Sequence, residues 1–355
     1  VWIMAYTTID DPSAHFQTQI YAGSGSDNKV VTNSGNSDLQ PDWIWIKKRS
    51  ASGQHVLSDT NRGILKVLNS NSTAAEDSNS EGEMVKSVQS DGFTLGDSQA
   101  GQGDTNFTSG AAYVAWQWKA NGGSRTTFTE SGANPGGGYQ ANTTAGFSIV
   151  DYTGTGSAGT VSHGLGAEPK VLIVKNRDAT TDWAVYHRNA SSAGNDSYLE
   201  LNTADAVATA GTVWNDTSPS SSVFTVGTNT KTNTDGEEYI AYCLTPIQGY
   251  SKFGSYTGNG NNDGTFIYLG FKPAWFLCKQ TNTSRSWTLI DNKRPEINSD
   301  DTKALVPNET GAEENIDADF LSNGLKIRQN HTAINQSGGT YVYMAFAEHP
   351  FVSSK

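Results

Sequence analysis

Apolar residues in this chain come in short runs that are ended by turn residues, and no long stretch repeats them at helical spacing. The clearest pattern is a proline, one variable residue, four apolar residues and a lysine, and it occurs three times. A continuous apolar run this short predicts a β-strand that is covered on both faces. The three copies are Pro41-Asp-Trp-Ile-Trp-Ile-Lys47, Pro169-Lys-Val-Leu-Ile-Val-Lys175 and Pro273-Ala-Trp-Phe-Leu-Cys-Lys279.

Three further motifs accompany each apolar run in a constant order. A tyrosine with spaced glycines precedes the run, and such glycines supply the positive φ angles of a turn. A hairpin-type strand follows the run, and a closing motif of tyrosine, aliphatic residue, alanine and aromatic residue ends each copy. The turns begin at Tyr21, Tyr152 and Tyr256, the hairpin strands are Asp91-Gly-Phe-Thr-Leu95, Val223-Phe-Thr-Val226 and Asn323-Gly-Leu-Lys-Ile327, and the closing motifs are Tyr113-Val-Ala-Trp116, Tyr239-Ile-Ala-Tyr242 and Tyr343-Met-Ala-Phe346.

The distance from the proline to the closing tyrosine is 72, 70 and 70 residues in the three copies. Four motifs in one order at nearly constant distances indicate one domain that is present three times. The Gly-, Ser-, Thr- and Asn-rich segment between the first two copies predicts a flexible tether. The predicted divisions are an N-terminal extension over 1–12, repeats over 13–119, 146–248 and 249–351, a linker over 120–145 and a tail over 352–355.

Each copy holds about seven or eight short strand-like segments separated by turn residues. A single open sheet of that size would bury its apolar residues poorly, so we predict an all-β fold of three tandem β-sandwich domains, jelly-roll-like in form. An immunoglobulin-like topology is the alternative. Three such domains could form a rod or close into a ring with approximate threefold symmetry.

The composition narrows the partners that this β protein could have. Charged residues make up 17%, and a formal charge of −12 without a Lys or Arg cluster argues against nucleic acid. No apolar run reaches the about 20 residues of a membrane span, so no membrane partner is expected. Cys243 and Cys278 lie in apolar segments and predict buried free thiols, with a disulfide as the alternative. Met4 resembles a natural start, which would make residues 1–3 an upstream extension.

Sequence signatures of catalysis and of metal binding are absent. The chain has no Gly-x-Ser-x-Gly motif, no phosphate-binding glycine loop and no paired histidines or cysteines at zinc-site spacing. We therefore expect no enzymatic activity, no cofactor and no metal. The acidic clusters Asp300-Asp301 and Glu313-Glu314-Asn-Ile-Asp317 could bind calcium, but they lack the spaced ligands of a specific site, so solvated loop charge is favoured.

A repeated charged position follows each apolar run, twelve residues after the lysine. The residues at this position are Asp59, His187 and Asp291. Arg62 and Arg294 follow the two aspartates by three residues, whereas the middle copy has Arg188 directly after the histidine. These pairs could hold sugar hydroxyls, but we favour pairs that pin the following turn, because the arrangement recurs in two copies. The histidine argues against any function that needs the aspartate in every copy.

Two other residue types are candidates for recognition sites. The three lysines that end the apolar runs are expected to be charges at the point where a buried strand emerges into water, rather than ligand contacts. Most aromatic residues fall in predicted strands and are expected in the core. Trp214, in the loop-like segment Val213-Trp-Asn-Asp216, is the candidate for an exposed recognition residue.

Three segments resemble proteins encoded by marine bacteriophages. They resemble a repeat family of unassigned activity in tail-fibre-like and other virion proteins, and the likeness extends from Met4 to Phe351. It implies a location on a virus particle but brings no catalytic residues. The segments are Met4-Ala-Tyr-Thr-Thr-Ile-Asp-Asp-Pro-Ser-Ala-His-Phe-Gln-Thr18, Asn33-Ser-Gly-Asn-Ser-Asp-Leu-Gln-Pro-Asp-Trp-Ile-Trp-Ile-Lys47 and Gly254-Ser-Tyr-Thr-Gly-Asn-Gly260.

The expected function is therefore a non-enzymatic structural component of a phage particle, as a tail fibre or tail-associated appendage that could also adhere to the host. The alternatives are a capsid decoration protein, a carbohydrate-binding adhesin and a polysaccharide depolymerase. The expected partners are other virion proteins, further copies of this chain in a homo-oligomer, and a host surface glycan. The protein would be made in the host cytoplasm and end in the extracellular virion.

Overall fold

The computed structural model of the protein describes residues 7–77, 84–97, 104–190, 195–294 and 302–350. These residues form antiparallel β-sheets, two one-turn α-helices and one short 3-10 helix. The predicted all-β class is confirmed. The proposed start at Met4 lies outside the described residues.

The first third of the chain forms two sheets that pack face to face. A 3-10 helix at Pro12–Ala14, capped by the Asp11 side chain, leads into them. The five-stranded sheet has the order β1-β8-β3-β4-β5, and the three-stranded sheet has the order β2-β7-β6. The strands are β1 (Phe16–Ala22), β2 (Lys29–Val31), β3 (Trp43–Lys48), β4 (His55–Asp59), β5 (Leu68–Asn69), β6 (Val85–Gln89), β7 (Gly92–Leu95) and β8 (Ala112–Trp118).

The second third again forms a large sheet and a small one. Their orders are β16-β15-β14-β13-β18-β11-β10-β9 and β12-β17. The elements are β9 (Thr126–Phe128), β10 (Gly137–Asn142), β11 (Phe147–Thr153), β12 (Gly159–Ser162), β13 (Val171–Asn176), β14 (Ala184–His187), β15 (Ser197–Glu200), β16 (Ala208–Thr209), α1 (Gly211–Trp214), β17 (Val223–Val226) and β18 (Glu238–Leu244).

The last third repeats this arrangement. Its sheets have the orders β19-β27-β21-β22-β23-β24 and β20-β26-β25. The elements are β19 (Ser251–Thr257), β20 (Phe266–Tyr268), β21 (Phe271–Gln280), β22 (Thr288–Asp291), β23 (Lys303–Leu305), β24 (Glu314–Asn315), β25 (Ala318–Leu321), β26 (Gly324–Ile327), α2 (Thr332–Asn335) and β27 (Thr340–Pro350).

One strand order therefore occurs in all three large sheets. The order β1-β8-β3-β4-β5 corresponds to β11-β18-β13-β14-β15 and to β19-β27-β21-β22-β23. We call the three sheet pairs modules 1, 2 and 3, numbered along the chain. The exact domain boundaries given by the sequence, and the descent of the modules from one ancestor, stay predictions.

The segment 120–145, expected to be a flexible tether, contains ordered strands instead. Strand β10 pairs with β11, and β9 pairs with β10, so the segment extends the large sheet of module 2. A Cβ atom on Gly137 would lie 2.0 Å from the carbonyl oxygen of Asp151. The glycine content that suggested flexibility thus allows a close approach of two strands.

The four-residue apolar runs form strands β3, β13 and β21, whose two faces are both covered, as predicted. In β3, Trp43 and Trp45 face a core shared with the other modules, while Ile44 and Ile46 face the small sheet of module 1. This alternation follows from the two-residue period of a strand. Both faces are apolar, which explains why these segments show no polar alternation.

A single apolar core lies where the three large sheets meet. Trp43 of module 1 stacks on Tyr242 of module 2, with ring centroids 4.2 Å apart. Trp118 of module 1 meets Trp275 of module 3 edge to face at 5.5 Å. Because each module contributes to this one core, the three modules pack around a common centre rather than along a rod.

Strand pairing corrects the third closing motif. Tyr21 pairs with Tyr113, Tyr152 with Tyr239 and Tyr256 with Tyr341, and each pair of rings is stacked. Tyr341 is therefore the equivalent residue, and the choice of Tyr343 was wrong by two positions. A shift of two residues keeps a side chain on the same face of a strand, so the pattern alone did not reveal it.

The shared core predicts that the modules unfold together. Replacing Trp118, which is 1% exposed, by alanine should lower the free energy of unfolding by about 3–5 kcal/mol, because it removes a large side chain from a close-packed site. Scanning calorimetry should show one transition at a lower temperature. Phe266→Ala is the control, since that ring is 42% exposed and should matter little. Separate transitions for the modules would contradict a common core.

Candidate functional site

Three junctions join the modules in a closed cycle, and they hold most of the charged positions that the sequence singled out. Each junction brings the end of strand β4, β14 or β22 of one module against the closing strand β18, β27 or β8 of the next. We name them junction 1/2, junction 2/3 and junction 3/1. Their contacts run in the same direction around the cycle, so the three modules form a ring.

The repeated aspartates contact aromatic side chains of the neighbouring module. Asp59 Oδ2 accepts a hydrogen bond from Tyr242 Oη at 2.8 Å across junction 1/2. Asp291 Oδ2 accepts one from Trp116 Nε1 at 2.9 Å across junction 3/1. Both carboxylates are 0% exposed. The two aspartates therefore connect modules within the core and present no surface to a ligand.

Each of these aspartates also pairs with the arginine three residues later. The distance from Nε of Arg62 to Oδ2 of Asp59 is 2.6 Å, and the same distance joins Arg294 to Asp291. The favoured structural interpretation of these pairs is thus borne out by their contacts. Burial lowers the pKa of the Arg62 guanidinium, but Asp59, Tyr242 and Glu76 outweigh it and raise that pKa above its usual value, so Arg62 stays charged.

Junction 2/3 uses a different pair of residues at the same positions. Met344, the equivalent of Trp116 and Tyr242, offers no hydrogen-bond donor to an aspartate. His187 stands in place of the aspartate, and its Nε2 lies 3.1 Å from the carbonyl oxygen of Tyr343. The amide of Asn189 donates to His187 Nδ1, so the proton lies on Nε2. Burial lowers the pKa of His187 to about 4, which keeps the ring neutral.

The three repeated lysines are buried at the junctions, so the expectation that they emerge into water was wrong. Lys47, Lys175 and Lys279 are each 0% exposed. They lie on the strand face that points to the neighbouring module. In β3, for example, Lys47 follows Trp43 and Trp45 at steps of two residues and so shares their inward face. The sequence pattern of a run ended by a charge did not distinguish a buried cation from a solvated one.

Each lysine ammonium bonds to backbone carbonyls of its own module and of a neighbour. Lys47 Nζ donates to the carbonyl oxygen of Thr310 at 3.2 Å, Lys175 Nζ to that of Thr73 at 3.1 Å and Lys279 Nζ to that of Asp205 at 2.7 Å. Burial lowers the pKa of all three lysines to about 8. The lysines thus anchor a loop of the neighbouring module at every junction.

Two junctions also contain an ion-pair network that the sequence analysis missed. At junction 1/2, Glu76 binds Arg177 of module 2 at 2.8 Å and Arg62 of module 1 at 2.8 Å. At junction 3/1, Glu313 binds Arg49 at 2.6 Å and Arg294 at 3.2 Å. The recurrence of an arginine two residues after Lys47 and Lys175 was the available signal. Glu313 therefore serves in an ion pair rather than as solvated loop charge.

Backbone hydrogen bonds locate the same positions at junction 2/3. The amide of Glu76 donates to the carbonyl of Arg177 at 2.7 Å, and that of Glu313 donates to Arg49 at 3.0 Å. Val207 makes this bond to Thr281 at 2.9 Å. Val207 and Thr281 thus replace the glutamate and one arginine of the network.

Ala190, three residues after His187, replaces the second arginine of that network. A cavity of about 460 Å³ lies at junction 2/3. Ala190, Val207 and Thr281 line it together with residues of β19 and β27.

Trp214 is buried, and the expectation that it is exposed was wrong. It is 1% exposed and lies at the end of helix α1, where its ring meets that of Tyr186 at 5.9 Å. Helix α1 turns this indole into the core of module 2, because so large an apolar ring is favourable to bury. The segment Val213-Trp-Asn-Asp216 was predicted as a loop, but its first two residues end a one-turn helix.

Cys243 and Cys278 are buried free thiols, as predicted. Among the described residues, no group of three His, Cys, Asp or Glu side chains is placed to hold a metal ion. Asp300 and Asp301 lie outside the described residues. No helix in the described ranges is long and apolar enough to cross a membrane.

The fold and its junctions define an all-β protein of three sandwich-like modules closed into a ring. The chain belongs to the family described as "Domain of unknown function (DUF7483)", which matches residues 11–350. That match covers all three modules as one unit. No curated protein matches the chain.

Removing one aspartate should destabilise the ring strongly. Asp59→Ala leaves the buried Arg62 without its nearest carboxylate, so the free energy of unfolding should fall by about 3–5 kcal/mol. Tyr242→Phe should cost about 1–2 kcal/mol, because the change removes only the hydrogen bonds of the Tyr242 hydroxyl to Asp59 and from Arg62 and leaves the Asp59–Arg62 pair in place. Urea unfolding followed by tryptophan fluorescence measures both. Asp27→Ala, which breaks an exposed pair with Lys86, is the control and should have little effect.

The buried lysines predict that stability rises with pH above neutrality. Their pKa of about 8 in the folded chain is below the usual 10.5, so the unfolded chain binds more protons between about pH 8 and pH 10.5. Folding then becomes more favourable across that interval. Tyrosines such as Tyr341, whose pKa burial raises to about 12, reverse the trend above about pH 10.

The measurement is urea unfolding at pH 7.5 and pH 9.5. The wild-type protein should be more stable at pH 9.5, and Lys175→Met should reduce this gain by about 1–2 kcal/mol. Lys29→Met, at a surface strand, is the control variant. An equal gain in the Lys175 variant and the wild type would show that this ammonium does not carry the effect.

Proposed function

We propose that this chain is a non-enzymatic structural component of a bacteriophage particle, as a tail fibre or tail-associated appendage. The observation that carries the proposal is the closed ring. Its charged junction groups are buried and contact the neighbouring module, so the three modules form one preassembled unit. The resemblance of Met4–Thr18 and Asn33–Lys47 to marine phage proteins supports the location.

The distribution of charge supports protein contacts rather than chemistry in this role. The lysines, aspartates and arginines that recur between modules are used to hold the modules together. Interaction with other virion proteins and with further copies of the chain would then use the outer loops and the small sheets. Exposed apolar side chains such as Val30, Phe107 and Tyr268 lie on those outer surfaces.

A second candidate is a capsid decoration protein. It is favoured by the approximate threefold arrangement of the modules, since a ring of three similar sides matches a threefold position on a symmetric shell. Both candidates place the protein on the extracellular particle. They differ in whether it sits on the tail or on the head.

The location can be tested on purified particles of the source phage. Mass spectrometry should find the chain at a fixed copy number per particle, and immunogold labelling should place it on the tail for an appendage or on the head for a decoration protein. Asp59→Ala/Asp291→Ala, which opens two junctions, should reduce incorporation, whereas Asp27→Ala should not. Particles that lack the chain would overturn the proposal.

The absence of enzymatic activity is tested separately. Purified protein incubated with host capsule or lipopolysaccharide should leave the size distribution of the polymer unchanged. A fall in polymer size would instead favour the depolymerase.

A further inference from the structure

Junction 2/3 differs from the other two in what fills the space between the modules. At junctions 1/2 and 3/1 this space holds two arginines and a glutamate. At junction 2/3 the backbone keeps the same hydrogen bond between Val207 and Thr281, at 2.9 Å, but the side chains are small and uncharged. The cavity of about 460 Å³ therefore lies where the other two junctions hold the side chains of their ion-pair networks.

The polar groups that the structure describes around the cavity carry no charge. Among the described lining residues there are amides and hydroxyls but no Asp, Glu, Lys or Arg. The lining residues are Asn189, Ala190, Val207, Ser255, Tyr256, Thr257, Thr281, Asn282, Thr340 and Tyr341. Its size lies within the range of about 300–1,000 Å³ that is usual for small-ligand sites.

Several of these polar side chains are available to a ligand. The hydroxyls of Thr281 and Thr340 bond to each other at 2.8 Å. The side chains of Asn189, Ser255 and Thr257 are exposed, and none makes a hydrogen bond within the part of the chain that the structure describes. Amides and hydroxyls both donate and accept, as sugar hydroxyls do. Ala190 and Val207 offer apolar contact for the C–H groups of a sugar ring.

We infer that the cavity at junction 2/3 binds a neutral carbohydrate. An acidic glycan is disfavoured, because no cation is among the described residues that line the cavity and the chain carries a net charge of −12. The inference rests on the cavity and not on a place in the virion, so a failure of either proposal leaves the other standing.

The probe is a printed array of neutral and acidic glycans, applied to the full-length recombinant protein. Neutral glycans should be retained, and calorimetric titration of the best one should give a stoichiometry of about one per chain. The decisive variant is Ala190→Arg/Val207→Glu/Thr281→Arg, which gives junction 2/3 the side chains of the other two junctions. It should weaken binding at least about tenfold, because the network fills the cavity.

A second variant guards against misfolding of the first. Asn189→Ala/Ser255→Ala keeps the cavity but removes two available polar groups, and it should weaken binding by about fivefold or more. Thr127→Ala, at a separate surface cavity of module 2, is the matched control and should bind as the wild type does. Circular dichroism checks that each variant is folded.

Three results would overturn the inference. The first is that no neutral glycan is retained, and the second is that only acidic glycans are retained. The third is that a folded triple variant, or a folded Asn189→Ala/Ser255→Ala variant, binds as tightly as the wild type. Binding that survives Thr127→Ala but is lost in both cavity variants supports the site.

Discussion

Closure of the ring depends on polar groups that are buried between modules. Each of these groups needs a hydrogen-bond or ion-pair partner, and the neighbouring strands and loops supply it. A charged group removed from water is costly unless it is fully paired. Here the lysine ammonium groups meet backbone carbonyls, and the aspartates meet both an arginine and a donor from the next module. These contacts require one relative placement of two modules, which an apolar core alone would specify less sharply.

The third junction shows how such a requirement can be met with different chemistry. Where the neighbouring residue is Met344, an aspartate would lack a donor, and the chain has His187 instead, bonded to a backbone carbonyl. The carboxylate and the hydrogen-bond donor that it needs on the neighbouring module are replaced together. His187 departs from the aspartate pattern in the sequence, and in the structure it is one half of a contacting pair that has changed together.

The β framework could be predicted from the sequence because its signals are local. Each four-residue apolar run marks a strand, and the glycines mark the turns between strands. The structure has strands β3, β13 and β21 at those runs. The register of the last strand could not be predicted, because Tyr343-Met-Ala-Phe346 fits the closing motif while the true equivalent, Tyr341-Val-Tyr-Met344, does not, and both tyrosines lie on the same strand face. The same limit applies to Trp214, whose burial depends on a one-turn helix with little sequence signal.

The junctions were less predictable because they depend on contacts between distant parts of the chain. Lys47 and Lys48 are neighbours with the same charge, and only the direction of each side chain decides that the first is buried. The roles of Glu76 and Glu313 depend on partners about a hundred or more residues away. Identifying them requires knowing that the three sheets meet at one centre.

Joining three similar modules in one polypeptide has a consequence for how the protein can change. In a homotrimer encoded by a single copy of the domain, a substitution alters every interface at once, and a harmful contact is made three times. Here each interface is encoded separately, so one can lose its ion pairs while the other two retain them. Mutational drift can therefore give one side of the molecule a specialised surface without loosening the whole.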